Sequence, residues 1–184
     1  MRRATIVRVL IGLSVLLGFF LLAIPLGRFA IESLNRSKCE SNLRAIGQCL
    51  LLYANGNGGH LPPDLGTLAW NEDIAPIVFV CPGSNTSAPA NLPANQLVTW
   101  VNAHSDYVYL GSGIIVPHTS MGFQGSGKVV LAYEEEKHHG KGMNVLFLDS
   151  RVDWMSIEAA HRAIDLSEAN QATTLPAVST SSRP

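Results

Sequence analysis

His138 and His139 follow Glu134, Glu135 and Glu136 within one short stretch, and imidazole beside carboxylate is ordinary metal-ligand chemistry. An anchored metal-binding module or metal-dependent enzyme using His138 and His139 is therefore one reading of the chain. The plainer reading is a solvated loop between two strands, with no metal and no cofactor. Three cysteines, Cys39, Cys49 and Cys81, are an odd count, so at most one bridge forms and a thiol is left over. A Cys–His nucleophile needs a spatial pairing that no local motif here supports. The six histidines fall into no HExxH, GxSxG or P-loop spacing. Trp100, Tyr107, Tyr109 and Trp154 read as sheet packing rather than a binding platform. The expectation is a protein without catalytic residues and without an evident small-molecule substrate.

The element that must position all of these begins with an apolar run. Val9 to Leu26 has no charged residue, and 13 of its 18 residues are Val, Leu, Ile or Phe. As a helix it is about 27 Å long, enough to cross a hydrocarbon core. Its large side chains contribute on the order of −6 kcal/mol towards insertion. A cleaved export signal is the rival, because Arg2, Arg3 and Arg8 resemble its basic leader. The run is long for a signal, however, and Pro25-Leu-Gly-Arg28 offers no small-x-small cleavage site. The expectation is a retained, single-pass anchor in the cytoplasmic membrane, with the lipid bilayer as first partner. The basic segment favours N-inside, which puts the rest of the chain outside the cytoplasm; Arg28, Arg36 and Lys38 follow the run and oppose that bias.

Formal net charge is −1 and no run of Lys or Arg exceeds two residues, so no nucleic-acid footprint is present. Ser37-Lys-Cys-Glu40 fits a capping box that would start a fresh helix, although one continuous helix out of the membrane fits the same residues. Cys39, Leu43, Ile46, Leu50 and Tyr53 then recur at helical spacing as one apolar stripe. Asn55-Gly-Asn-Gly-Gly59 stops that helix. A brief β-prone piece, Ile77 to Val80, precedes an exposed loop over residues 83 to 95. Strand-like runs are Leu97 to Val101, Tyr107 to Leu110, Val129 to Tyr133, Asn144 to Leu148, and Val152 to Met155. Asp149-Ser150 makes a two-residue hairpin turn, in which Ser is poorer than Gly because positive φ costs about 1 kcal/mol. Ser156 caps a short helix, Ile157 to Leu166. A helix with one apolar stripe and an antiparallel sheet with one apolar face cover each other. The organisation is a basic tail (1–8), a transmembrane helix (9–26), an α+β head (27–166) and a disordered Ala-, Thr-, Ser- and Pro-rich tail (167–184).

Several of these residues carry a family resemblance. Ser41-Asn-Leu-Arg-Ala-Ile-Gly-Gln48 with Tyr53-Ala54-Asn55, Leu61-Pro62-Pro63 and Cys81-Pro82 resembles pseudopilin-like proteins with a prepilin-type N-terminus. His139, nine intervening residues, then Asp149-Ser150 is similar to the H-X9-DG motif of the prepilin-processing-associated family. The resemblance implies a pilin-like fold, a long N-terminal helix packed on an antiparallel sheet. It also implies a structural or assembly role, linked to type II secretion or type IV pilus-like machinery, with other envelope or pilin-like proteins as partners. His139, Asp149 and Ser150 would then be structural motif positions. Cys39 and Cys81 match positions where the family often has cysteine, so they pair outside the cytoplasm or remain plain buried thiols. Two departures accompany the likeness: Ser150 replaces the motif's Gly, and Met1–Arg8 lies where prepilins carry a Gly-Phe-type processing site.

A strand of about 3.3 Å per residue between His139 and Asp149 places them at opposite ends, on the order of 20 Å apart. That spacing excludes a direct chelate unless Gly140-Lys-Gly142 doubles back.

Overall fold

The structure is a computed structural model that describes residues 2–90, 92–116 and 126–174. Helix α1 runs from Arg2 to Gly56 without a break, with Pro25 inside it. Of the two possibilities at Ser37, the continuous helix is observed. The preceding turns already supply carbonyl partners for the N–H groups that a capping box would have had to satisfy. Helix α1 includes Arg2–Arg8.

The chain divides into two compact units, Met1–Asn35 and Arg36–Pro184. In the first, every described side chain from Leu10 to Leu34 is exposed. Among the described residues, one helix is long and apolar enough to cross a membrane, and it is this one. The second unit starts at Arg36 and not at residue 27. Residues 27–34 bury nothing, and full burial first occurs at Cys39.

The second unit is an α+β head. Cys39, Leu43, Ile46 and Leu50 of α1 are 0% exposed, so the stripe read from spacing is the buried face. It covers a four-stranded antiparallel sheet: β1 (Tyr107–Tyr109), β2 (Val130–Glu134), β3 (Met143–Phe147) and β4 (Val152–Met155), ordered β1-β2-β3-β4. Alternation along β3 divides the core. Leu146 and the following Leu148 join the α1 side, while Met143, Val145 and Phe147 face Ala160 and Ile164 of helix α4 (Ile157–Thr174). The sheet is therefore covered on both faces, and one helix on one face is not the whole arrangement.

Four local expectations differ from what is observed. Leu97 to Val101 lies in helix α3 (Ala94–His104) and not in a strand. Its β-branched residues suggested a strand, but tertiary packing overrides that preference. Helix α2 (Leu65–Asn71) lies against it so closely that a β-carbon on Gly66 would stand 2.4 Å from the Val98 carbonyl oxygen, and the Gly66 N–H donates to Asn102 Oδ1 at 2.7 Å. The β-prone piece after Ala75 is a 3₁₀ turn over Pro76–Phe79, where proline's fixed φ suits a helical first turn. The last helix does not stop at Leu166. It continues to Thr174, and within it Ser167 is fully buried with its Oγ accepting the Val130 N–H at 2.9 Å. That N–H lies at the register shift between Val130 and Ala132, so Ser167 supplies a partner where the ladder is irregular. The tail expected to be disordered from residue 167 is thus helical through Thr174, and residues 175–184 lie outside the described part.

Candidate functional site

Parity along β2 decides which acidic residue turns inward. Ala132 faces the α1 core, so Glu134, two residues on, faces it as well and is 0% exposed. Its Oε1 accepts the backbone N–H of Asn144 on β3 at 2.5 Å. Asn144 Nδ2 in turn donates to the Arg36 carbonyl at 3.2 Å, tying this end of the sheet to α1.

His139 closes the 3₁₀ turn Glu136–His138 and enters the same space. Its Nε2 stands 3.4 Å from Cys39 Sγ, 3.4 Å from Cys81 Sγ and 3.4 Å from Glu134 Oε2. Cys39 projects from the buried stripe of α1, and Cys81 follows the 3₁₀ turn Pro76–Phe79. The two sulfurs form a disulfide, with their Cα atoms 5.4 Å apart. The four donor atoms lie within 4.8 Å of one another, and all four residues are buried. Trp154 of β4 meets the His139 ring edge-on at 5.8 Å, and the Arg36 guanidinium covers Trp154 at 4.3 Å. Together they roof the cluster on the side towards the start of the head.

The stretch Glu134 to His139 is therefore not one metal cluster. Glu134 and His139 enter the cysteine site. Glu136 Oε1 pairs with His161 of α4 at 2.6 Å. His138 Nε2 lies 3.6 Å from Asp106 Oδ1 in a polar cleft beside Ser84 and Thr86. Asp106 itself is a loop clamp: its carboxylate accepts from the Cys81 N–H, the Ser84 hydroxyl and the Thr86 hydroxyl. Ser84 is thus bonded to a carboxylate and not to an imidazole, which is not the arrangement that activates a serine nucleophile.

His139 and Asp149 stand at opposite ends of β3 and do not meet. Asp149 Oδ1 accepts the Arg151 N–H at 3.1 Å within the β3–β4 turn, and Arg151 reaches the Gly127 carbonyl at 2.8 Å. Ser150 holds φ +64°, the left-handed conformation that glycine adopts more cheaply. Cys49 is the free, half-buried thiol; burial first, and then the Glu72 charge, pushes its pKa up, away from a reactive thiolate.

Trp100 belongs to α3 and stacks on His104 at 5.0 Å, whereas Tyr107 and Tyr109 pack on the sheet. Tyr107 accepts from Asn42 Nδ2 at 3.2 Å and Tyr109 donates to the Pro62 carbonyl at 2.9 Å. What sequence reasoning missed is Glu134 as the partner of His139. The signal was strand parity, usable only once the start of β2 is known.

No protein family, characterised protein or solved structure matches this chain.

Proposed function

We propose that this chain is a single-pass, pseudopilin-like envelope protein. The first part of α1 is its anchor in the cytoplasmic membrane, and the head stands on the extracytoplasmic side. Its role is structural, in assembly or interaction alongside type II secretion or type IV pilus-like machinery. One observation carries the reading: a single helix is apolar and exposed along its first part and buried on a sheet along its last. Water is a costly solvent for the exposed part, since large side chains such as Leu17, Phe19 and Leu21 favour hydrocarbon. The pilin-like interpretation rests on this helix-on-sheet arrangement together with the Ser41–Gln48 and His139/Asp149 likeness; the second helix, α4, on the opposite sheet face is a departure from it.

A non-catalytic role is supported by the closed character of the polar cluster. Cys39, Cys81, Glu134 and His139 are sealed beneath Trp154 and Arg36, and catalytic metal or thiol sites keep an open position for substrate. Protease added to intact cells tests the orientation. Digestion of the head with survival of the anchor supports it, and full protection contradicts it. Mass spectrometry of the natural N-terminus separates a retained anchor from a cleaved signal.

A further inference from the structure

We propose that Cys39, Cys81, Glu134 and His139 form a closed, four-ligand site for a zinc-class divalent ion, filled when the two cysteines are reduced and unavailable when they pair.

Three observations lead to it. The first is geometric. A tetrahedral zinc with bonds of about 2.0 to 2.3 Å sets its ligand atoms about 3.3 to 3.8 Å apart. His139 Nε2 stands 3.4 Å from each of the other three donors, so the imidazole already spans three edges of such a tetrahedron. The second is chemical. Two sulfurs, one imidazole nitrogen and one carboxylate oxygen suit a borderline-soft ion and do not suit calcium or magnesium, which prefer all-oxygen shells. The third is energetic. A disulfide that only staples α1 to the loop after Phe79 needs no carboxylate and no imidazole beside it. Burying Glu134 and His139 here costs several kcal/mol of hydration; their contact at 3.4 Å and the Asn144 N–H offset part of it, and a bound dication would offset more. Glu134 is also oriented from behind by the Asn144 N–H, as metal-bound carboxylates commonly are.

The conversion balances. An external dithiol gives two electrons to the Cys39–Cys81 bond, which opens to two thiols while the dithiol closes to its own disulfide. Zinc then displaces the two thiol protons and binds both thiolates, the His139 nitrogen and the Glu134 oxygen. Either cross-link joins α1 to the loop after Phe79, but only the metal form also holds the end of β2 and the turn at His139.

The test uses the full chain in detergent micelles. It is reduced with a dithiol under anaerobic conditions, loaded with zinc or cobalt(II), freed of excess metal and assayed by elemental analysis. The expected result is one equivalent per chain in the reduced protein and none in the oxidised protein. Cobalt should give the absorption of a thiolate-bound tetrahedral ion. Loss of an outer-shell partner weakens metal sites about 10- to 100-fold, so His139→Ala and Cys81→Ser should lower affinity more than about 100-fold. Glu134→Gln keeps the shape and the Asn144 bond, so it separates ligand loss from misfolding, and a circular dichroism spectrum like wild type accompanies each variant. Cys49→Ser and His138→Ala should retain full uptake. A reduced, folded wild type that takes up no zinc overturns the proposal. So does uptake unchanged in Cys81→Ser, or uptake that needs His138.

Discussion

Gly47 of α1 and Leu146 of β3 meet so closely that a β-carbon on Gly47 would stand 2.7 Å from Leu146 Cδ1. The helix contributes no side chain at this point, so the fully buried Leu146 side chain of the sheet packs directly against the α1 backbone.

Gly47→Ala sets two effects against each other. Alanine gains about 1 kcal/mol of helix propensity, while overpacking a filled core costs about 1 to 3 kcal/mol. Leu146 is fully buried, so its methyl groups have little room to retreat. Net destabilisation of about 1 kcal/mol is expected, read from the denaturant midpoint. In a Leu146→Ala background the same substitution should stabilise, because the clash is gone and the propensity gain remains.

At the β3–β4 turn, Ser150→Gly should stabilise the head by about 1 kcal/mol, since the serine holds φ +64° at a steric cost. The buried Ser150 hydroxyl also has no hydrogen-bond partner among the described residues, so its loss costs nothing on that account. A lowered midpoint for Ser150→Gly would show that the hydroxyl has a role in the turn.

Alkali should unfold the head through its tyrosines. Burial first raises the pKa of Tyr107 well above its usual value; the Asn42 hydrogen bond opposes this and the Glu134 and Asp106 carboxylates add to it. Burial likewise raises Tyr109, with Asp64 and Tyr53 adding. Both folded-state values lie above the unfolded one, so their stabilisation is complete below about pH 10 and fades as pH rises beyond it. Phenolate absorbance should therefore appear together with loss of circular dichroism above about pH 10. Tyr109→Phe should shift that transition upward relative to its own neutral stability. Ionisation of both tyrosines in a still-folded head would contradict the burial.

Reducing the Cys39–Cys81 bridge in the presence of a chelator should cost about 2 to 4 kcal/mol, because it frees a long loop in the unfolded chain. Thermal midpoints of oxidised and reduced protein measure this directly. Cys49→Ser should leave the difference between the two forms unchanged, since that thiol is outside the bridge.

How much of this was legible in the sequence depends on the range of the interaction. The α1 stripe was legible because Cys39, Leu43, Ile46 and Leu50 repeat with the helix period, and that period alone selects a face. The Val152–Met155 strand and the turn before it were legible for the same local reason. Helix α3 was not. Val98, Thr99 and Val101 favour strands locally, and only the close approach of Gly66, more than 30 residues earlier, makes the helix the better solution. The cysteine cluster was half legible. Glu134 and His139 stand in a stretch that looked like ligands, but choosing Glu134 over Glu136, and His139 over His138, needs strand parity and the 3₁₀ turn. Their meeting with Cys39, 100 residues away from His139, is a tertiary fact that no spacing encodes.

Partition between membrane and soluble fractions tests whether α1 anchors the chain, the proposal on which the placement of the head rests. An anchored chain sediments with membranes, resists high-salt and alkaline washing, and enters solution only with detergent. A full-length chain of unprocessed mass that stays in the supernatant without detergent would contradict that proposal.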